Sequence, residues 1–268
     1  MPRVLLLGGH GNVAMAMTPL FLARSWSVTS VIRNPEHENE ILALAKGQPG
    51  HLDVLLSSLD DVRCEADAQA ILDTVSPDYV VWAAGAGGKG SPDRTIAIDQ
   101  NAAKFFISTA FASKKVSKIL LISHLGSRRC QPSWMSDGDW GRIRYFNEAV
   151  LPVYYRAKLE ADEYMTALAR KKQATSGSFQ SILLRPGLLA DGPATREVQL
   201  GKTRAEGSVT REDVAIVADK LLAREDTHGW YDLLNGEEPV DEAVERVVRD
   251  KVDAVDGEDV DAMVARFN

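Results

Sequence analysis

Short apolar runs alternate with amphipathic stretches along the first two-thirds of the chain. Six largely aliphatic runs predict β-strands, at residues 4–7, 28–32, 52–56, 79–83, 118–123 and 180–184. The spacing of apolar positions between these runs predicts helices at residues 13–24, 61–75, 99–113 and 152–171. Nearly continuous apolar strands that alternate with helices are typical of a parallel sheet covered on both faces. We therefore expect an α/β fold built on a doubly wound parallel sheet.

A glycine-rich turn follows the first predicted strand. Gly8 and Gly11, with Ala14 three residues further on, occupy the junction of that strand with the first helix. Glycines here let the pyrophosphate of a dinucleotide approach the backbone, and the unpaired N–H groups of the helix start, at Asn12 and Val13, favour its negative charge. The alternative is a tight turn without a ligand, but the position at the first strand–helix junction favours cofactor binding.

The residue that follows the second strand indicates which nicotinamide cofactor binds. An acidic residue there holds the ribose 2′-hydroxyl of NAD, whereas an arginine can pair with the 2′-phosphate of NADP. Arg33 occupies this position, so we expect NADP(H), the alternative being a solvated charge. Leu59, after the third strand, and Ala84 and Gly85, after the fourth, continue the expected cofactor path along the strand ends.

Tyr154 and Lys158 are four residues apart near the start of a long predicted helix. They share a helix face, and an ammonium group close to a phenol lowers the pKa of the phenol from about 10. The tyrosine is therefore a candidate proton donor near neutral pH. This spacing is common by chance, and its weight comes from its place after the glycine turn and after a fifth strand that ends at Ser123.

With these motifs the chain resembles the short-chain dehydrogenase/reductase superfamily, in its atypical branch of NmrA-like and epimerase-like NAD(P)-binding proteins with a Rossmann fold. The resemblance spans essentially the whole chain and also includes residues 83–90, 185–187 and 211–215. It implies hydride transfer at a nicotinamide, with Tyr154 as proton donor, Lys158 bridging the tyrosine to the ribose, and Ser123 positioning a carbonyl. It also implies that the backbone of Pro186 and Gly187 binds the carboxamide.

Three positions complicate this comparison. His124 follows Ser123 where the family usually has a small residue, and Ser127 is a second candidate for the catalytic serine. His124 is either an acid–base group that contacts substrate, because the pKa of histidine lies near neutrality, or a structural histidine. Asp99 stands where many relatives have an asparagine that relays protons. The differences concern the proton relay and leave the cofactor expectation unchanged.

Residues 125–151 form a long connection between the fifth strand and the tyrosine helix. Connections of this length are usually functional, and this one has to pass beside the nicotinamide, so we expect a lid-like wall of the substrate site. Trp134 and Trp140 are expected to give it an apolar or aromatic surface, the alternative being that they only pack the insert onto the body. We expect Arg128 and Arg129 to be a solvated pair.

The rhythm of strand and helix changes after Gly187. Thr210 and Asp213 predict the start of a helix that ends near residue 224, and a strand at 230–234 and a helix from about residue 240 follow. We expect a single NAD(P)-binding domain over residues 1–268. Its core is predicted at 1–185, and a small C-terminal substrate-side appendage at 186–268.

Composition narrows the functions that such a fold can serve. Over 268 residues the chain has 45% hydrophobic and 26% charged residues, which is typical of a globular enzyme, and a formal net charge of −7. This charge offers no basic surface for nucleic acid, and the apolar runs are too short to span a membrane. Two distant cysteines and five histidines without metal-ligand spacing indicate reduced thiols in the cytoplasm and no metal site.

We therefore expect an NADP(H)-dependent oxidoreductase that reduces a carbonyl or imine of a small, largely apolar metabolite, as a monomer or homodimer. One alternative keeps the cofactor but performs acid–base isomerisation or cyclisation, with Asp137, Asp139 or Glu148 as the acid–base groups. A second alternative is an NADP(H)-sensing regulatory protein that binds a protein partner. The presence of both Tyr154 and Lys158 weighs against it, because a sensor needs no proton donor.

Overall fold

Helices and strands alternate along the chain, as the hydrophobic pattern predicts. The computed structural model describes residues 1–86, 91–175 and 179–268. The strands in these ranges are β1 (Arg3–Leu7), β2 (Ser27–Ile32), β3 (His51–Leu56), β4 (Tyr79–Trp82), β5 (Lys118–Ile122), β6 (Gln180–Pro186), β7 (Leu188–Ala190), β8 (Glu197–Gly201), β9 (Ser208–Thr210), β10 (Gly229–Asn235) and β11 (Glu238–Pro239). The helices are α1 (Asn12–Ala23), α2 (Glu38–Leu42), α3 (Glu65–Val75), α4 (Pro92–Thr95), α5 (Ala103–Ala112), α6 (Asp137–Tyr145), α7 (Pro152–Thr175), α8 (Arg211–Leu222), α9 (Val240–Arg249) and α10 (Val260–Arg266), with π-helical turns at Ile96–Ala102 and Phe146–Val150.

Nine of the strands form one sheet, in the order β11-β8-β10-β6-β5-β4-β1-β2-β3. Every neighbouring pair from β3 across to β10 is parallel, and β8 and β11 add an antiparallel edge. β7 and β9 pair in a separate two-stranded sheet. The α/β fold with a doubly wound, mostly parallel sheet is confirmed, and each of the six predicted strands lies within two residues of its predicted bounds.

The sheet is buried on both faces, which explains the continuous apolar runs of its strands. Along β1, Val4 and Leu6 belong to the core under α1, α8 and α9, whereas Leu5 and Leu7 belong to the core under α3, α5 and α7. All four side chains are fully buried. Successive side chains of a strand point to opposite faces, so both sets have to be apolar when helices cover both faces.

The strand order reverses at β1, which pairs with β2 on one side and with β4 on the other. At such a reversal the connections leave in opposite directions, and a crevice opens beyond the carboxyl ends of the strands. The turns after β1, β2, β3 and β4 all lie at this edge of the sheet. The fold therefore brings together the segments in which the sequence predicts a cofactor site.

Two predicted helix boundaries are wrong for local reasons. The third helix begins at Glu65 rather than at residue 61, because the backbone at Leu59–Asp61 forms a 3-10 turn. The helix predicted from residue 99 begins at Pro92, where the Ser91 side chain accepts a hydrogen bond from the N–H of Arg94. It continues into α5 through π-helical turns. In both cases the apolar periodicity is correct and the start is set by local capping.

The insert at residues 125–151 contains a helix that the hydrophobic pattern does not predict. In α6 Ile143 is the buried residue, so the helix carries almost no apolar stripe, and the Ser136 side chain caps its start. The short strands β7, β8, β9 and β11 have two to five residues each, which is too few for a clear periodic signal. Among the described residues, no helix has the length and apolar character needed to cross a membrane.

Candidate functional site

The turn between β1 and α1 contains glycine because its backbone touches the end of a neighbouring strand. Gly8 has a φ of +84°, and a Cβ on it would lie 2.6 Å from the Cα of Ala84. Gly11 precedes α1, and no side chain caps this helix start. The N–H groups at Asn12 and Val13 therefore begin the helix without a side-chain acceptor, which is the arrangement that suits an anion.

A cleft of about 300 Å³ opens beside this turn, and we call it the cofactor cleft. Six residues predicted to bind the cofactor line it, from the turns after four successive strands: Gly8, Gly11, Arg33, Leu59, Ala84 and Gly85. The backbone of Gly8 and Gly11 and the guanidinium groups of Arg33 and Arg94 line the same cleft, so the residues present fit a phosphate-bearing dinucleotide. The family-like stretch at 83–90 is described as far as Ala86, and residues 87–90 lie outside the described ranges.

Two arginines share one carboxylate in the cofactor cleft. Arg33 Nη1 lies 3.2 Å from Asp60 Oδ2, and Arg94 Nε lies 2.9 Å from Asp60 Oδ1. The hydrogen bond from Arg94 is the main cause that holds the pKa of Asp60 below its usual value, and Arg33 adds to it. A phosphate bound at this place would meet two guanidinium groups and a single carboxylate.

Asp99 supports the backbone at the end of β4. Its Oδ2 accepts a hydrogen bond of 2.8 Å from the N–H of Ala86, and a Cβ on Gly85 would lie 2.6 Å from its Oδ1. Asp99 is 1% exposed, and burial raises its pKa while the nearby Lys158 ammonium opposes that rise. The carboxylate therefore holds in place the strand end that lines the cofactor cleft.

Tyr154 and Lys158 lie on the first turns of α7. Lys158 is 3% exposed and donates a hydrogen bond of 2.8 Å to the carbonyl oxygen of Ile122, at the end of β5. The Tyr154 ring packs edge-on against His124, with 5.8 Å between ring centroids. Burial raises the pKa of Tyr154, and two nearby carboxylates raise it further, so the lowering expected from Lys158 alone is wrong for this structure. The phenol stays protonated, which is the form that can donate a proton.

The hydroxyl of Ser123 is engaged inside the protein. It donates a hydrogen bond of 2.6 Å to Oδ2 of Asp162, and Ser123 is 5% exposed. Asp162 follows Lys158 by one turn on α7 and is fully buried; burial raises its pKa to about 6, although Arg185 and Lys158 oppose this. Ser127, the second candidate serine, is buried beside the same carboxylate.

Arg185, at the end of β6, is a fully buried centre of hydrogen bonds. Its Nε donates to Asp232 at 2.8 Å, and its two Nη atoms donate to the carbonyl oxygens of Ser127 and Leu125, each at 2.9 Å. The guanidinium carbon lies 4.0 Å from the centroid of the Trp230 ring. Arg185 thereby fixes the first residues of the insert against β6 and β10.

Arg128 is buried as well, so the expectation of a solvated arginine pair is wrong for it. Its Nη2 donates to the carbonyl oxygen of Ala254 at 2.7 Å and lies 3.6 Å from Asp232. These acceptors compensate for part of the cost of burying its charge. Arg129 matches the expectation better, because it is exposed and pairs with Glu163.

A second cleft of about 470 Å³ opens between the insert and the segment after β6, and we call it the insert cleft. Most of its surface is apolar. The apolar side chains are Leu125, Ile143, Phe146, Leu188 and Ala205, and the polar ones are His124, Arg142, Asn147, Glu206 and Ser208. Gly187 also lines it, and the N–H of Gly187 donates to the carbonyl oxygen of Leu233 at 3.0 Å. Pro186 ends β6, and its carbonyl oxygen accepts the N–H of Leu125 at 3.0 Å.

The two tryptophans of the insert pack beside the cleft rather than into it. Trp134 donates a hydrogen bond of 3.1 Å from Nε1 to the carbonyl oxygen of Thr203, and the Arg128 guanidinium lies 5.3 Å from the centroid of its ring. Trp140 packs on the small core that includes Met135. In the described part of the chain neither indole lines the insert cleft. Their contacts hold the insert on the body of the protein.

His124 lies between Tyr154 and the insert cleft. Its Nδ1 accepts the N–H of Gly126 at 3.1 Å, and its ring stacks on Phe146 with 5.6 Å between centroids. Burial lowers the pKa of His124 to about 4, and the charges of Arg185 and Lys158 contribute. The imidazole is therefore neutral at neutral pH, and Nε2 carries its proton because Nδ1 acts as an acceptor.

Sequence reasoning missed several partners of the predicted residues. Asp162 had a detectable signal, because it lies on the α7 face of Tyr154 and Lys158 at the same spacing of four residues. Arg185 stands directly before Pro186, but nothing in the sequence indicates its buried contacts. The others reach the site only through tertiary structure: Arg94, Phe146 and Asn147.

Comparison with known proteins independently supports a nicotinamide cofactor as the ligand. A family model described as NAD(P)H-binding matches residues 8–225. The UPF0659 protein of Schizosaccharomyces pombe is 28% identical over 244 residues, which cover 89% of this chain and 92% of that protein. The uncharacterised sugar epimerase YhfK of Bacillus subtilis is 27% identical over 248 residues, 91% of this chain and 100% of that protein.

A solved structure shares the same fold. A Bacillus halodurans protein described as an NAD-dependent epimerase/dehydratase is 25% identical, has a TM-score of 0.71, and covers 92% of this chain and 100% of that one. The resemblance to epimerase-like NAD(P)-binding proteins with a Rossmann fold is thereby confirmed. The family match extends from the glycine turn across both clefts to the end of α8. The chain belongs to this family of NAD(P)H-binding proteins.

Proposed function

We propose that the chain is an NADP(H)-dependent reductase that acts on a carbonyl or imine of a small, largely apolar metabolite. The observation that carries the proposal is that Tyr154 has a neighbouring residue at each of the two clefts. Asp99, whose charge acts on the phenol, supports the cofactor cleft, and His124, which contacts the ring, lines the insert cleft. A proton donor at this position serves a substrate that is held beside a nicotinamide.

Each residue of the pair has a distinct task in this proposal. Bound NADPH supplies a hydride to the substrate carbon. Tyr154 donates the proton to the substrate oxygen or nitrogen, because its raised pKa keeps the phenol protonated until that transfer. Lys158, anchored on Ile122, offsets the charge of the phenolate that forms. Ser123 contributes indirectly, through the hydrogen bond that its hydroxyl donates to Asp162.

The preference for NADP(H) rests on Arg33 and Arg94. Both line the cofactor cleft, and both donate to Asp60, so their side chains lie close together. A 2′-phosphate can accept charge-assisted hydrogen bonds from both guanidinium groups, whereas a 2′-hydroxyl gains much less from them.

The insert cleft is proposed as the substrate site. The Bacillus subtilis relative is named a sugar epimerase, and a sugar requires several hydrogen-bonding side chains around it. Most of the surface of this cleft is apolar, through residues such as Leu125, Ile143 and Phe146, and its two charged side chains, Arg142 and Glu206, pair with each other. This chemistry favours an apolar metabolite for this chain.

Replacing Tyr154 with Phe tests the proposal. The Tyr154→Phe variant should bind NADPH with unchanged affinity in calorimetry, but lose about 10²- to 10⁴-fold in the rate of NADPH oxidation across a panel of carbonyl compounds, because the proton donor is missing. Tyr155→Phe is the matched control. Tyr155 donates to the carbonyl oxygen of Arg128, and its loss should leave turnover unchanged.

Two outcomes would contradict the proposal. Wild-type turnover by Tyr154→Phe would remove the tyrosine from the reaction. Product formation without any consumption of NADPH would point to the isomerisation alternative instead.

A further inference from the structure

The side chains of Ser123 and His124 point to different environments. The Ser123 hydroxyl donates a hydrogen bond of 2.6 Å to the buried Asp162 carboxylate, and Ser123 is 5% exposed. His124 lines the insert cleft and contacts the ring of Tyr154. The residue that the family resemblance assigns to the substrate carbonyl therefore has its donor occupied, and the next residue along the chain faces the substrate site.

Three contacts fix the imidazole of His124. The N–H of Gly126 donates to Nδ1 at 3.1 Å, Phe146 stacks on one side, and Tyr154 meets the ring edge-on. A Cβ on Gly126 would lie 2.7 Å from Cε1 of the imidazole, so a glycine is needed for this approach. With Nδ1 used as an acceptor, Nε2–H is the donor that the neutral ring retains.

A buried asparagine, Asn147, fixes the position of Gly126, the residue that is hydrogen-bonded to His124. Asn147 is 3% exposed and donates from Nδ2 to the carbonyl oxygen of Gly126 at 2.8 Å. The same glycine donates its N–H to His124. Asn147 also comes from the insert and lines its cleft, so the insert sets the orientation of the histidine.

We propose that His124 is a further catalytic residue, whose neutral Nε2–H donates a hydrogen bond to the substrate oxygen that Tyr154 protonates, with Asn147 as its positioning residue. The inference rests on the proposed reductase function and narrows its substrate class. A carbonyl oxygen has two lone pairs and can accept from both residues, whereas an imine nitrogen has one. The structure therefore assigns ketones and aldehydes, rather than imines, to this site.

The step balances without a further reactant. The substrate carbon gains the hydride, the C=O π bond breaks, and the oxygen takes the proton of the Tyr154 hydroxyl. His124 keeps its proton and stabilises the negative charge that develops on the oxygen, as a neutral donor does in an oxyanion site. The phenolate of Tyr154 regains its proton from solvent.

Nitrogen NMR of the protein with labelled histidine tests the tautomer and the donor position of His124. The experiment is done without cofactor, and benzil serves as an apolar diketone probe. We expect the Nε2–H tautomer of His124 at neutral pH and a shift of this N–H resonance on addition of benzil. Asn147→Ala should give a mixture of tautomers in the same spectrum. An Nδ1–H tautomer or a cationic ring in the wild type would overturn the inference, whether or not the protein reduces carbonyls.

Kinetics of benzil reduction test the catalytic role. His124→Phe should lower kcat about hundredfold with an unchanged affinity for NADPH, because one donor to the oxyanion is lost. His124→Gln, which restores a neutral N–H donor, should recover about tenfold of that loss, with the pH profile of the wild type. The matched control is His51→Phe, since His51 is an exposed residue of β3 and should leave kcat unchanged.

The two hypotheses fail in different ways. If Ser123→Ala lowers kcat as much as His124→Phe, or if His124→Gln gives no recovery, the role of His124 is wrong while the reductase function stands. If benzil shifts the His124 resonance but the wild type consumes no NADPH with any carbonyl, the reductase function fails and the His124 contact with a carbonyl stands.

Discussion

Arg33 and Arg94 reach the same carboxylate from different elements of the fold. Arg33 follows β2, Arg94 lies on α4, and Asp60 lies in the turn after β3. Such a cluster presents more positive than negative charge to whatever binds in the cofactor cleft. The choice between NADPH and NADH is thus proposed to rest on two side chains. Of these, Arg33 lies after a strand end, where the sequence motif predicts it, whereas Arg94 does not.

Arg94→Gln should weaken NADPH binding by about ten- to a hundredfold and change NADH binding much less, because in the proposed binding mode the lost contact is a charge-assisted hydrogen bond to the 2′-phosphate. Calorimetry with each nucleotide measures the two affinities. Arg249→Gln serves as the control, since Arg249 pairs with the exposed neighbour Asp250 and should leave both affinities unchanged. Equal losses for NADPH and NADH would argue against a phosphate contact.

At the scale of elements, the turn from β1 to α1 depends on close contact between backbone and β2. The N–H of Gly9 donates to the carbonyl oxygen of Val31 at 3.0 Å. A Cβ on Gly9 would lie 1.9 Å from Oγ of Ser30, a fully buried residue. Gly9 is needed for packing, whereas Gly8 is needed for its positive φ and its approach to Ala84.

Gly9→Ala should lower the free energy of unfolding by about 1 to 3 kcal/mol, because the added methyl overpacks the turn. In a Ser30→Ala background Gly9→Ala should lower the free energy of unfolding by less, because the clashing Oγ of Ser30 is gone. Chemical denaturation of the two single variants and the double variant gives this coupling.

The control for this double-mutant cycle of Gly9 and Ser30 is Gly141→Ala on α6, where a Cβ would have no neighbour within 4 Å. That substitution should stabilise the helix by about 0.5 to 1 kcal/mol. Additive effects of Gly9→Ala and Ser30→Ala would show that the turn can move away from β2, which would contradict tight packing of Gly9 against Ser30.

At the scale of the whole molecule, a buried charge network links the sheet, α7 and the insert. Arg185 of β6 pairs with Asp232 of β10 and lies 3.4 Å from Asp162 of α7. The same arginine holds the carbonyl oxygens of Leu125 and Ser127 at the start of the insert. The wall of the insert cleft is therefore anchored in the centre of the fold.

This network gives stability a measurable dependence on pH through Asp162. Its pKa in the folded protein is raised to about 6, whereas an unfolded aspartate titrates near 4. The folded state binds the proton more tightly, so the contribution of Asp162 is fully present below about pH 4 and is lost as the pH rises through about 6.

Asp162→Asn removes this titration. The Tm of the variant minus that of the wild type should therefore become more positive between pH 4 and pH 7, as ionisation of the wild-type carboxylate sets in. Scanning calorimetry of both proteins at each pH isolates the group, because all other titrations cancel in the difference. Parallel curves would mean that Asp162 titrates at its ordinary pKa.

Local periodicity accounts for most of what could be predicted about the fold. The strands were located within two residues because a doubly covered strand has to be apolar at every position, and this requirement is visible in any short window of the chain. Periodicity does not predict the insert helix α6, because its stability comes from capping by Ser136 and from the buried Ile143 rather than from an apolar stripe.

The glycine turn, Arg33 and the Tyr154–Lys158 pair were visible in the sequence because their spacing is set by one turn or one helix. The partners of these residues come from distant segments: Arg94 joins Arg33 at Asp60, Asp162 accepts a hydrogen bond from the Ser123 hydroxyl, and Asn147 reaches His124 through Gly126. The direction in which the pKa of Tyr154 moves was also beyond sequence reasoning, since it depends on burial.

Short-range patterns in the chain locate the strands and put particular residue types at the strand ends. Whether such a side chain faces a cleft or the interior depends on how the sheet folds and on the segments that pack against it. The physical reason is that hydrophobic patterns and turn chemistry act between neighbours in the chain. Desolvation and hydrogen bonding at the site act between residues that only the folded sheet brings together.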